Sequence, residues 1–312
     1  MYEKFYNLKT EPFHITPDVR FLYLSETHRE ALASTIYVAQ KRQGFMTITG
    51  GAGVGKTAIL RAFVQKAANA ALKVVYVLGT NVTFTDIVAA IYRELDLEPT
   101  TTDPVEMMDG LHSALVRLRE QGRTMVLIID EAQTMSIETL ENLCTLSNLE
   151  TSTEKLIQVV LVGQPELEEL LESQELRRLK QRITVRSKIA PLNRVESRAY
   201  VAHRLSVAGV ENPAVFKKKA LDIIIAEAKG VPRLLNVLCN NALIAGFQRG
   251  ENPVTKSIAR EIVTAFGGKK AQPFLQRWRA TAMSIVGVVF RMPLHVTRPE
   301  PVRSSSEHLH KL

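Results

Sequence analysis

Five short apolar runs, rich in β-branched residues, punctuate the first 190 positions: 45–49, 73–79, 124–130, 156–163 and 183–190. They are apolar continuously rather than in alternation, which is what strands covered on both faces require. Between them apolar residues recur at helical spacing. The clearest case is 27–43, where Ala31, Leu32, Thr35, Ile36, Val38 and Ala39 form one side and Gly44 ends the helix. Further helices are predicted over 56–71, 84–96, 105–120, 136–149 and 165–180. Strands alternating with helices imply a parallel sheet with right-handed crossovers. The expected fold class is therefore α/β with a five-stranded parallel sheet. After Asn193 the strand pattern stops. Helices are predicted over 194–208, 213–229, 231–248 and 255–266, separated by Gly- and Pro-containing breaks, so an all-helical second domain follows the first.

These boundaries divide the 312 residues into a lead-in (1–25, limited by Pro12 and Pro17), an α/β domain (26–190), a helical domain (191–266) and a tail (267–312). The tail holds four prolines and a Ser-Ser-Ser run, which suggests loose order. Hydrophobic residues at 46% and charged residues at 23% are ordinary globular proportions and exclude fibrous or wholly disordered readings. Cys144 and Cys239 cannot build a disulfide framework, which favours a reduced, cytoplasmic setting. The N-terminus has no apolar secretory core, and no stretch reaches the roughly 18 apolar residues of an ordinary membrane span. The net charge of +8 is unevenly spread. Residues 267–312 hold eight Lys or Arg against two Glu, a net +6, which leaves the rest almost neutral. Any charge-driven contact with nucleic acid or anionic membrane is thus expected first of the tail.

The first strand runs directly into Gly50-Gly51-Ala52-Gly53-Val54-Gly55-Lys56-Thr57, a complete G-x-x-x-x-G-K-T. Glycines let consecutive backbone N–H groups form an anion nest, and the following helix adds its positive end. Lys56 is placed to reach the β- and γ-phosphates and the Thr57 hydroxyl to bind Mg²⁺. Asp130-Glu131 puts two carboxylates at the tip of an apolar strand, on the ligand edge of a parallel sheet. Asp130 is expected to help hold Mg²⁺, and Glu131 to polarise the attacking water as a general base. The competing reading of this pair is helix N-capping before 132–149.

With GGAGVGKT, LIIDEAQ, LVGQPEL and GVPR in this order, the sequence resembles AAA+ ATPases. More narrowly it resembles the ExeA-like ATPases named for general secretion pathway protein A. The opening FYNLKTEPFHITPDVRFLYLSETHREAL is similar as well, and the resemblance covers about 1–266. It implies ATP and Mg²⁺ as cofactors, hydrolysis by a homo-oligomeric ring or filament, and three further roles. Gln164 matches sensor 1, at the γ-phosphate. Arg233 matches sensor 2, contributed by the helical lid domain. Arg182, with Arg177 and Arg178 as competitors, matches the arginine finger that acts in trans. Tyr23 and His28 line the adenine pocket or, equally, serve core packing.

Longer secretion members of the family continue into a membrane span and an envelope-side region. Here the apolar stretch 280–290 between Arg279 and Arg291 is too short to cross roughly 30 Å of hydrocarbon. Either it anchors at the interface with Trp278, giving peripheral contact at the inner membrane, or it is a short packing or partner helix. Three cellular uses follow from the resemblance. One is assembly of an envelope or secretion system with inner-membrane partner proteins. The alternative is transposition target selection, as an ATP-dependent filament on double-stranded DNA with a transposase. The third, a nucleotide switch without turnover, is disfavoured by the presence of both Glu131 and Arg182.

Overall fold

The computed structural model describes residues 2–14, 16, 18–67, 71–98, 104–209 and 215–267. Five strands, β1 (Phe45–Gly50), β2 (Leu72–Leu78), β3 (Thr124–Asp130), β4 (Ile157–Gly163) and β5 (Ile183–Ile189), form one sheet in the order β2-β3-β4-β1-β5. All pairings are parallel. The continuous apolar runs are explained by how their side chains divide. Val75, Met125, Leu127, Val159 and Leu161 enter one core with helices α3 (Phe84–Glu94) and α4 (Pro104–Glu120). The alternate residues Met46, Ile48, Val126, Ile128, Val160 and Val162 enter the opposite core with α1 (Glu26–Lys41) and α2 (Lys56–Ala67). Strands β1, β3 and β4 are buried throughout, whereas the edge strands β2 and β5 alternate in exposure.

Two predicted helices are interrupted. The segment expected over 136–149 is α5 (Ile137–Asn142) followed by a three-residue-per-turn helix over Leu143–Asn148. That winding stacks the buried Leu143, Leu146 and Leu149 on one side. The segment expected over 165–180 is two helices, α6 (Pro165–Leu171) and α7 (Arg177–Arg182). Leu171 and Leu176 are both buried. Their five-residue spacing would place them on different sides of one continuous helix, so the chain breaks between them.

Beyond the sheet come α8 (Arg194–Val207), α9 (Lys218–Ala228), α10 (Pro232–Arg249) and α11 (Lys256–Phe266). α8 opens on a capping box made by Asn193 and Glu196. The core of these helices is shared with the N-terminal segment: Tyr2, Tyr6, Leu8, Phe13 and Phe21 lie buried among Tyr200, Leu205, Leu238 and Leu243. The Tyr6 hydroxyl donates to the Leu243 carbonyl at 3.1 Å. The buried Arg204 guanidinium donates to the Pro12 carbonyl at 2.5 Å and lies 4.9 Å from the centre of the Phe21 ring. The compact unit extends to Val263; Thr264 and the following residues belong to a second unit, of which residues 264–267 are described. The tail stretch 274–291 lies outside the described residues. Among the described residues no helix is long and apolar enough to cross a membrane.

Candidate active site

The sheet order sets the site. β1 leads to β2 across two intervening strands, and β4 leads to β5 across β1, so connections diverge around the carboxyl end of β1. Ligands of open parallel sheets bind at such a point. Residues 50–57 occupy it, with α2 starting at Lys56.

Four carbonyls of this loop, those of Gly50, Gly51, Gly53 and Val54, are each held by a partner. The Lys56 ammonium donates to the carbonyls of Gly50 at 2.8 Å and Gly51 at 3.2 Å. The backbone N–H of Arg233, at the start of α10, donates to the Gly53 carbonyl at 3.3 Å. The His28 Nε2, from α1, meets the Val54 carbonyl at 2.9 Å. Gly55 has φ +112°, where only glycine is unstrained, and a Cβ there would stand 2.7 Å from His28 Nε2. Lys56 is buried. Burial pulls its ammonium below the ordinary lysine value, while Glu131, Asp130 and Glu166 pull the other way.

Asp130, at the end of β3, is buried and its Oδ2 accepts from Thr57 Oγ1 at 3.2 Å and from the Tyr76 hydroxyl at 2.6 Å. Burial and this carboxylate together push the Tyr76 phenol well above its usual range. Thr57 and Asp130 thus present converging oxygens, the hard donors that Mg²⁺ takes. Glu131 has φ +56°, and its side chain makes no helix-capping bond. Its Oε2 instead accepts from Gln133 Nε2 at 2.6 Å and lies 3.4 Å from Gln164 Nε2. Gln133 Oε1 in turn accepts from the Gln164 backbone N–H at 3.1 Å. One amide side chain therefore joins the tip of β3 to the tip of β4.

The structure brings together Gly50, Gly51, Ala52, Gly53, Val54, Gly55, Lys56, Thr57, Asp130, Glu131 and Gln164, with Arg233 at the loop. It does not bring Arg182 to them. Arg182 precedes Ile183, which pairs with Phe45 at the opposite end of β1. At about 3.3 Å per residue, a sheet's length separates it from its own chain's phosphate loop. Its side chain lies beside the buried Cys144 thiol, and the nearby positive charge lowers that thiol's pKa against the larger upward push of burial. Tyr23 and His28 both line a cleft beside the loop, with Val54, Ala58, Tyr200 and Pro232. Sequence reasoning missed Tyr76 and Gln133. Gln133 is visible in DEAQ as an amide two residues past the pair; Tyr76 needs the pairing of β2 with β3.

A family model for the AAA domain matches residues 39–171. The five-stranded parallel sheet and the phosphate loop at its edge give the chain the fold of AAA+ P-loop proteins. The chain is similar to general secretion pathway protein A of Aeromonas hydrophila, with 40% identity over 255 residues, 81% of this chain and 46% of that protein. The chain thus spans about half the length of this curated relative. Among solved structures, the ORC2 protein of Aeropyrum pernix matches with a TM-score of 0.59 at 17% identity over 78% of this chain and 71% of that one. Cdc6p of Pyrobaculum aerophilum matches at 0.58 and 20%, over 77% and 68%. The RuvB branch migration motor of Thermotoga maritima matches at 0.53 and 17%, over 80% and 73%. At these identities the likeness is one of fold.

Proposed function

We propose that this protein binds Mg²⁺-ATP, hydrolyses it as a homo-oligomer, and uses the cycle to drive assembly of a cell-envelope or secretion structure at the inner membrane. The observation that carries the reading is the set Lys56, Thr57, Asp130 and Glu131 at adjoining strand tips, with Glu131 tethered to Gln133 and Gln164. The loop amides and Lys56 hold the phosphates. Thr57 and Asp130 would hold Mg²⁺, which when bound supplies charge compensation for the phosphate oxygens. Glu131 takes the proton of the attacking water, and Gln164 orients that water at the γ-phosphate. Arg233 lends a cation from the lid, and Arg182 serves the site of a neighbouring copy. The secretion role rests on the curated relative's name, and it favours the envelope reading over transposition.

The test pairs two measurements. Purified protein is expected to release phosphate from ATP in the presence of Mg²⁺ and to elute larger with ATP than without it, because a trans cation couples nucleotide state to assembly. Monomeric elution at every protein and ATP concentration would sink the oligomer reading. Absence of phosphate release from an assembled species would sink the hydrolase reading.

A further inference from the structure

One buried histidine reaches the phosphate loop from α1. His28 sits in the first turn of α1 and is buried. Its Nδ1 is 2.5 Å from Ser25 Oγ, and its Nε2 is 2.9 Å from the Val54 carbonyl. A carbonyl only accepts, so Nε2 carries the proton and Nδ1 receives the serine hydroxyl. Ser25 is the residue before α1, yet its side chain makes no capping bond. Its hydroxyl instead lies 3.3 Å from Thr27 Oγ1, which the Ala190 N–H reaches at 3.4 Å. Burial pulls the imidazole below the ordinary histidine value, opposed first by the hydrogen bond to the Val54 carbonyl and then by the charge of Glu196 on α8. The ring is thus neutral and held at both nitrogens.

A peptide unit is planar and trans, so its C=O and the next N–H point in opposite directions. Fixing the Val54 carbonyl outward against His28 therefore turns the Gly55 N–H inward, toward the phosphates of a P-loop. We propose that His28 is a positioning residue for nucleotide: its Nε2–H sets the 54–55 peptide so that the Gly55 amide is aimed at phosphate before ATP arrives. This rests on the reading of residues 50–57 as the ATP site.

The test uses the full chain and a fluorescent ATP analogue, with inorganic tripolyphosphate and adenosine as competitors. His28→Phe keeps the bulk and removes the donor; His28→Gln returns an amide N–H at a similar reach. His28→Phe is expected to weaken ATP and tripolyphosphate about three- to tenfold, the range of one net hydrogen bond. The loss should be larger for tripolyphosphate than for adenosine, because the group released is a peptide of the phosphate loop. His28→Gln should recover most of the loss. Ser25→Ala, which frees the ring without altering it, should give a smaller change of the same kind and serves if His28→Phe does not fold. Three results overturn the proposal: wild-type tripolyphosphate affinity in His28→Phe, an equal loss for adenosine, or no recovery in His28→Gln. Lys56→Ala separates this failure from that of the reading beneath it. If wild-type protein binds ATP no better than Lys56→Ala, the ATP site itself is misassigned.

Discussion

Glu131 occupies left-handed backbone space at φ +56°, a conformation that costs a non-glycine residue about 1–3 kcal/mol. Its carboxylate spends that strain on two amides rather than on a cap. Glu131→Gln should therefore leave ATP affinity near wild type while phosphate release falls about 10²- to 10⁴-fold, the usual contribution of a general base. Lys56→Ala should weaken binding itself, and a titration of both variants beside a turnover assay separates the two. Acid stability follows from His28. Because its folded value is depressed, the unfolded chain takes up the extra proton first, so stability is retained at neutral pH and falls below about pH 6.5. Denaturant titrations at pH 7.5 and 5.5 should show that loss reduced in His28→Gln; an unchanged pH slope in that variant would count against it.

Elements differ in how plainly they can be read. The phosphate loop is legible because its chemistry needs consecutive residues between a strand and a helix. The Asp130-Glu131 pair is legible because an apolar strand ends on it. Tyr76 is not: its hydroxyl reaches Asp130 only because β2 pairs with β3 in register, Tyr76 opposite Ile128. His28 reads from sequence equally as adenine pocket or core packing, since the phase of α1 relative to β1 decides what it touches. The break between α6 and α7 depends on burying both Leu171 and Leu176, which periodicity alone reads as one helix. The connection from α9 to α10 offers a test at this scale. Gly230 has φ +76° and accepts the Leu192 N–H at 2.8 Å, and a Cβ there would collide with the Leu192 carbonyl. Gly230→Ala should destabilise by at least about 1–3 kcal/mol from backbone strain alone, seen as a lower melting temperature, and a wild-type melt would show that this junction yields.

For the whole molecule, the position of Arg182 at the far end of the sheet makes a mixing experiment informative. Arg182→Ala alone should lose about 10³-fold or more in turnover, and Glu131→Gln about 10²- to 10⁴-fold. Mixed, they should regain part of the activity, because a Glu131→Gln copy still offers its arginine to a neighbour with an intact carboxylate. Mixtures no more active than the two parts would remove the trans assignment. Charge belongs to this scale too. Residues 267–312 hold +6 of the net +8, so a chain ending at Gly267 should keep ATP turnover and lose most affinity for acidic liposomes and DNA at low salt. Equal co-sedimentation of full-length and shortened protein would move that contact onto the folded body.

The shared core of the N-terminal segment and the last helices has a consequence for biosynthesis. Tyr2, Tyr6, Phe13 and Phe21 are synthesised well before the surface that covers them, which begins near Leu192 and runs to Ile262. At about 5–20 residues per second, those rings wait on the order of ten seconds or more before their partners exist. During that interval their apolar surface has no native cover. Transient shielding would have to cover them, and residues made early are among the last to reach their native neighbours.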